Sequence, residues 1–450
     1  MKHGSRVTAL FLKLYFALSA LCLVFLIGAG VVLFKVFPYT FLKSGADALV
    51  DWKNNWQTYT IRPQAPFLRK NEFGASGVLV HEKGRAYDGV TLYGGVEGKH
   101  LSLYLIDMDG NPLHHWDVSF KKIWPEGSKH LKSQPEDLHQ ALVGYHLLEN
   151  GDVILNLYRV GMVRLDRCGN VVWRLPIRAH HLFSFTPQGT LWVPCEEAGD
   201  RHYGRKENGL GTVSLTITDP EAICEVSLAG ELLRSVDPVE AFFHSSMGPM
   251  LMPSGMAEYE SYHFTSNGDT FTHINDVEVV TEAFAKDFLR FKPGDLLMSL
   301  CTQNMLAVMD PDTETIKWSM KGPFFNQHDP DLLPNGKISI FDNLGAAIDP
   351  NADDGSRILE VDPLTGASRT VVGSSKANFF LTETEGNKQH LPNGNLLITE
   401  SVRGRIFEVD KSGEIVWSFV TRWDDDEVVI THEGIRYPAS YAAFIAEGCQ

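Results

Sequence analysis

Cysteine is scarce in this chain: six residues in 450 (Cys22, Cys168, Cys195, Cys224, Cys301 and Cys449), which excludes a disulfide-dense scaffold. None of them falls in a C-x-x-C spacing, so neither a zinc knuckle nor a thiol-exchange motif is present. A long basic run is also missing. Lys+Arg number 40 against 56 Asp+Glu, a formal net charge of −16, and nucleic acid is excluded as a partner because backbone binding needs clustered cations. Glycine (39) and proline (22) stand near ordinary usage, which removes collagen-like and low-complexity classes. At 44% hydrophobic and 21% charged the composition is that of a globular protein. The length suits one large β architecture or two to three ordinary domains.

Long apolar runs are likewise few, and the one present sits near the N-terminus. Residues 14–34 carry no charged side chain. At 1.5 Å rise per residue, a helix of that length spans roughly 30 Å, the hydrocarbon thickness of a bilayer. Lys2, Arg6 and Lys13 precede it, which keeps a short cytoplasmic segment (1–13) inside and exports the remainder of the chain. The rival is a cleaved signal peptide, but apolar residues continue past the small cluster Gly28-Ala29-Gly30. The expectation is a single transmembrane anchor at 14–34, a juxtamembrane linker at 35–74, and an exported domain at 75–450. Export permits disulfides; their connectivity is left open.

Beyond Gly74 a pattern recurs. Two short runs of alternating apolar residues flank a turn at Asn150-Gly151, Gln188-Gly189, Asn335-Gly336 and Asn393-Gly394, with Pro293-Gly294 as a shorter relative. Asn-Gly supplies the positive φ angles of tight hairpins, so each is a strand–turn–strand signal. A second hairpin comes after it, in which an apolar run ends in Asp, turns, and resumes with apolar residues that often close on Trp. Asp107, Asp166, Asp310, Asp362 and Asp410 mark five such hairpins, and Val226 with Gly230 marks a sixth without the Asp. Two hairpins per unit make four strands, and six four-stranded units predict an all-β chain folded as a six-bladed β-propeller. The irregular stretch from about Asp237 to Thr270 reads as a loop on one rim.

Histidines precede most of the first hairpins: His139, the pair His180-His181, His273, His328 and His390. In a propeller the innermost strands start around the central channel, so five or six imidazoles from separate blades are expected to converge there. A lone histidine at a strand start is usually a satisfied turn residue. Repetition changes the reading, because imidazoles sharing a channel perturb one another and can bind an anion or a metal. No H-x-x-x-H spacing supports a metal cage.

These residues carry a resemblance. Thr272-His273-Ile274-Asn275, Gln327-His328-Asp329, Phe341-Asp342-Asn343, the His180-His181 pair and Gln389 ahead of Leu391-Pro392-Asn393-Gly394 resemble the bacterial arylsulfotransferases, over roughly Gly74 to Pro438. The resemblance implies a six-bladed periplasmic propeller, tethered here to the inner membrane. It also implies transfer of a sulfuryl group from an aryl sulfate donor to a phenolic acceptor without a nucleotide or other cofactor. By motif position His328 corresponds to the nucleophile, and His273 with His180 or His181 to supporting histidines. Asn275, Gln327, Asn304 and Arg403 are the candidate substrate contacts. The chemistry suits the residue types: an imidazole displaces phenoxide, holds the group as a sulfohistidine and splits one displacement into two. Neighbouring donors meet the charge that grows on oxygen.

One departure stands out. The family places Ser-x-Arg on the strand after Thr-His-Ile-Asn, and that arginine clamps the sulfuryl oxygens. The matching stretch is Ser299-Leu300-Cys301, so Cys301 occupies the arginine's place. Loss of a charged donor costs about 3–4 kcal/mol of transition-state stabilisation. Arg403, at an analogous position in the last blade, is the candidate substitute. A second reading is a non-catalytic propeller that binds an anionic or aromatic ligand or a partner protein. A metal-dependent hydrolase using the same histidines is a third.

Overall fold

The computed structural model describes residues 67–449 apart from 98–99, 129, 132–133, 136–139, 204–213, 252–260, 266–270, 344–354 and 374–377, together with residues 15, 16, 18–23 and 25. Two compact units result, Met1–Pro66 and Phe67–Gln450. In the first, the described residues are helical and exposed. Among the described residues no helix is long and apolar enough to cross a membrane. The transmembrane helix expected over 14–34 is therefore not shown, and most of that span and of the 35–74 linker lies outside the described residues.

The second unit is the six-bladed propeller read from the repeat. Blade 2 is the plainest: Leu142–Leu147, Val153–Leu157, Gly161–Leu165 and Val171–Leu175 pair in sequence order as an antiparallel sheet. Blade 4 (Ile274–Val279 to Thr315–Lys321) and blade 5 (His328–Leu332 to Ser368–Val372) repeat it. In blade 3 the innermost position is split between Arg178–Ala179 and Ser184–Phe185, both pairing with Thr190–Glu196. The ring closes twice. Gly434–Tyr437 is the innermost strand of blade 1, beside Val90–Glu97, while Gly77–His81 adds an outermost fifth strand to blade 6. Leu68–Lys70 pairs with Glu427–Val429, so residues 67–74, read as linker, belong to this unit.

The repeated residues have identifiable tasks. In the first hairpins, Gly151, Gly336 and Gly394 sit at φ between 75 and 85°, the left-handed region that Asn-Gly turns require. In the second hairpins the Asp carboxylate caps its own turn. Asp166 Oδ1 accepts from the amides of Cys168 and Asn170, and Asp107, Asp310, Asp362 and Asp410 do the same two residues on. The closing Trp reaches the next blade. Trp173, Trp318 and Trp417 donate Nε1–H to the carbonyls of Leu228, Pro363 and Met108, each at the second-hairpin turn of the neighbouring blade. In blade 1 the same link is made by His114 to Arg167 O, 2.8 Å. Four blades are thereby joined to their neighbours by a polar contact, and the interfaces are filled by buried Trp, Leu, Ile and Val, about 1.5–3 kcal/mol per fully buried side chain.

The stretch read as a rim loop is folded. Pro238–His244 is helical, capped by Asp237, whose side chain accepts from Glu240 N. Ser261–Thr265 joins Asp200–Tyr203 and Ser214–Thr218 in a separate three-stranded sheet. The alternation rule missed it because its partner strands come from a second insertion, inside blade 3. Two disulfides form, Cys195–Cys224 within blade 3 and Cys168–Cys449, which ties the C-terminal segment to a turn of blade 2.

Candidate functional site

A cavity of about 210 Å³ is lined by residues from all six blades: Tyr158 from blade 2, His181 from blade 3, His273 and Asn275 from blade 4, His328 from blade 5, Glu385 from blade 6 and His432 from blade 1. The convergence has its origin in backbone geometry. His181, His273 and Glu385 have φ of 60, 47 and 64°, and Asn326 and Asp329, flanking His328, have 56 and 48°. Left-handed backbone at residues other than glycine costs roughly 1–2 kcal/mol each and persists only where neighbours hold it. Those neighbours are present. Asn156 Nδ2 donates to His181 O, 3.0 Å. Glu221 accepts from Ile274 N, 3.0 Å, and from the Thr272 hydroxyl, gripping both sides of His273. Asn343 Nδ2 donates to Glu385 O, 2.7 Å.

His328 has a defined tautomer. Its Nδ1 lies 2.8 Å from Asn343 Oδ1 and 3.0 Å from Asn326 O. The Asn343 amide is oriented by two bonds from its Nδ2, to Thr382 O and Glu385 O, so the oxygen is the atom turned to the ring. Both partners being acceptors, Nδ1 carries the hydrogen and Nε2 keeps its lone pair. Burial lowers the basicity of the ring against these two hydrogen bonds, so it is neutral near pH 7.

The other imidazoles differ from it and from each other. His181 and His273 rings meet edge to face with centroids 5.0 Å apart. His180 stands behind His181, Nδ1 to Nδ1 2.8 Å, so one ring donates and the other accepts and the pair shares one proton. Burial first, then neighbouring histidines, push both well below the ordinary imidazole value. His432 goes the other way. Burial alone would lower it, but Glu385 Oε2 lies 3.0 Å from its Nδ1 and the opposite charge raises it. The contact lacks the alignment of a good hydrogen bond, so charge attraction is its main part.

The remaining sequence candidates have other places. Asn275 lines the cavity; its Nδ2 donates to Gln327 O, 2.8 Å, while its buried Oδ1 has no protein partner. Gln327 is fully buried and donates to Ser299 Oγ and Met305 O, 3.1 Å each, which fixes the strand start beside His328 rather than the cavity wall. Asn304 Oδ1 accepts from Asn326 N, 2.8 Å, a support for the same turn. Arg403 pairs with Glu72, 3.0 Å, and Glu400, 3.8 Å, and is not a lining residue. Cys301 is buried with its Sγ 2.9 Å from Asn326 Oδ1 and does not line the cavity either.

Of the five or six imidazoles expected on the axis, the cavity has four. His390 ends its strand beside Asp331, 4.0 Å, and is not among the lining residues; His139 lies outside the described residues. Sequence reasoning missed His432 and Glu385. The signal for His432 was Thr431-His432 before Gly434–Tyr437, matching Thr272-His273 before blade 4, and it was overlooked because that strand completes blade 1 from the far end of the chain. Next to His328 along the axis lies a buried charged cluster. Lys388 donates to Asp329 O and lies 2.7 Å from Asp331, and burial raises Asp329 to about 7 against the opposing effect of Lys388. Among the described residues, three ligand-type side chains come within 4.8 Å of one another only at Glu97, His115 and Asp117, all exposed on blade 1.

The cavity thus offers a neutral nitrogen with a free lone pair, a proton-sharing imidazole pair, and one imidazole favoured as a cation. That set suits covalent capture of an anionic group and proton exchange with its leaving partner.

The sequence model of the arylsulfotransferase (ASST) family matches residues 144–422, more than half of the chain. No curated protein matches it. Among solved structures, a Bacteroides caccae protein of unknown function is 13% identical (76% of this chain, 99% of that one, TM-score 0.40). Virginiamycin B lyase from Staphylococcus aureus is 11% identical (63% and 71%, TM-score 0.33), and the Neurospora crassa Pan2 WD40 domain 12% (76% and 78%, TM-score 0.37).

Proposed function

The chain belongs to the arylsulfotransferase family, and from that premise we propose that it moves a sulfuryl group from an aryl sulfate ester to a phenol through a sulfohistidine on His328. The observation that carries the reading is the Asn343–His328 arrangement, which leaves Nε2 as a lone pair in a ring kept neutral by burial. In the first step Nε2 attacks sulfur, the S–O(aryl) bond breaks, and the bonding pair leaves on the phenoxide. His273 or the His180–His181 pair meets that oxygen with a hydrogen bond. In the second step a neutral imidazole of that group takes the acceptor phenol's proton, the phenol oxygen attacks sulfur, the N–S bond breaks to restore neutral His328, and the proton passes on to the released phenoxide or to water. Asn275, with an unused buried acceptor oxygen, is suited to receive the hydrogen bond of an incoming phenol.

The reaction is assayed with 4-nitrophenyl sulfate and a second phenol. Release of 4-nitrophenol that depends on the acceptor and vanishes in His328→Ala is the expected result. Absence of release with any aryl sulfate supports the binding propeller instead, and release that needs a divalent metal supports the hydrolase.

The same reading includes an exported domain held at the inner membrane by residues 14–34. Two disulfides among the described residues support an oxidising compartment, and the uncharged 14–34 run behind Lys2, Arg6 and Lys13 supports the tether. Membrane fractionation with protease access from the outer side of the inner membrane tests both.

A further inference from the structure

Sulfuryl transfer needs positive charge aimed at the three oxygens on sulfur, because those oxygens carry charge throughout the displacement. Among the described residues, no arginine or lysine lines the cavity. Cys301, at the position where the family resemblance puts an arginine, is bonded to Asn326 and does not reach the cavity. Arg403 is engaged with Glu72 and Glu400. Among the described lining residues, an imidazole is therefore the group able to supply positive charge.

We propose that His432, held as an imidazolium by Glu385, is the clamp on the sulfuryl oxygens, replacing the arginine by a histidine–carboxylate pair from the opposite side of the cavity. This rests on the sulfuryl-transfer reading. Three observations carry it. His432 and Glu385 both line the cavity shared with His328, and lie 3.0 Å apart. With Nδ1 turned to the carboxylate, Nε2–H is the donor left for an anion. By contrast, His328 Nδ1 is turned to two neutral oxygens and His181 Nδ1 to His180. The groups facing His432 are Glu385 from blade 6, His328 from blade 5, His273 from blade 4, His181 from blade 3 and its neighbour Glu433, with Arg69 acting on Glu385 from the strand Leu68–Lys70. Of these, Glu385 is the anion in contact, and it lies below its ordinary value because His432 first, then His328 and Arg69, outweigh its burial. A cation built from a histidine can be withdrawn by pH where an arginine cannot. The clamp is accordingly present below the raised value of His432 and lost as pH rises through it.

The test compares wild type, His432→Gln and Glu385→Gln from about pH 6 to about pH 9, spanning the ordinary imidazole value. Two readouts are taken, turnover of 4-nitrophenyl sulfate and binding of inorganic sulfate by calorimetry. The expected result is an alkaline fall in wild-type kcat/KM and in sulfate affinity. In Glu385→Gln that fall moves to lower pH. In His432→Gln it disappears, with kcat/KM lower on the order of 10²–10³-fold. Melting temperatures confirm that both variants fold. Unchanged limbs and rates in a turning-over enzyme overturn the clamp and leave the transfer reading standing. Sulfate binding with these shifts but no turnover of any aryl sulfate keeps the anion site and overturns the transfer reading.

Discussion

His328 and Asn343 stand 2.8 Å apart, Nδ1 to Oδ1, in blade 5, and Asn343 spends both of its amide hydrogens on the carbonyls of Thr382 and Glu385 at the approach to blade 6. One buried side chain thereby sets the tautomer of His328, the proposed nucleophile, and anchors the backbone of Glu385, which pairs with His432. Replacing it tests both. Asn343→Ala is expected to lower kcat on the order of 10²-fold, the penalty for a misplaced reacting group. His328→Ala should abolish turnover, and adding Asn343→Ala to it should cost nothing more.

Gly144 faces the other wall. A Cβ added there would come 2.7 Å from His181 O and 3.3 Å from Leu182 Cα, both backbone. The left-handed turn that projects His181 has to move. Gly144→Ala is expected to cost about 1–3 kcal/mol of stability and to reduce kcat more than it changes KM, checked by urea unfolding alongside steady-state kinetics.

The carboxyl of Glu433, buried and next to His432, is raised to about 8 by desolvation, with Tyr145 N opposing. A folded value above the unfolded one means the native state holds the proton more tightly. The stability it contributes is complete below about pH 4.5 and is lost as pH rises through about 8. The loss runs at about 1.4 kcal/mol per pH unit for a single proton. Glu433→Gln removes this dependence, so its melting temperature should exceed that of wild type increasingly between those limits and match it in acid.

Cys168–Cys449 closes a loop of 281 residues. Cys449→Ser is expected to lower unfolding stability by about 2–4 kcal/mol, read from denaturant midpoints, with no added effect of reductant on that link in the variant. Phe444 stays as a second fastening, since it is buried against Trp116 and His114.

The blades were legible because their turns are chemical necessities. Asp at 107, 166, 310, 362 and 410 caps its own hairpin, and Asn-Gly reaches the φ values those bends need, so local residues declare the fold. His181, His273 and His328 were legible for the same reason, each lying next to a repeated strand start. His432 was not, since its strand completes a blade begun more than three hundred residues earlier and no local pattern records the partnership. Asn304, Gln327 and Arg403 were read as substrate contacts because polarity near the motif is visible in a sequence, whereas the direction of a side chain is not. Gln327 faces Ser299 and Met305, and Arg403 faces Glu72. The strand in the stretch read as a rim loop escaped because Ser261–Thr265 pairs with Ser214–Thr218 in parallel, a register that no hairpin signal announces.

Because the wall that bears His432 is delivered by Gly434–Tyr437 and its approach, the cavity is complete only when the ring has shut. A nascent polypeptide emerging from the ribosome presents the other three axial imidazoles long before the fourth exists. Any product truncated ahead of that strand is left with an open-sided well. Closure of the ring and completion of the cavity wall are thus one event.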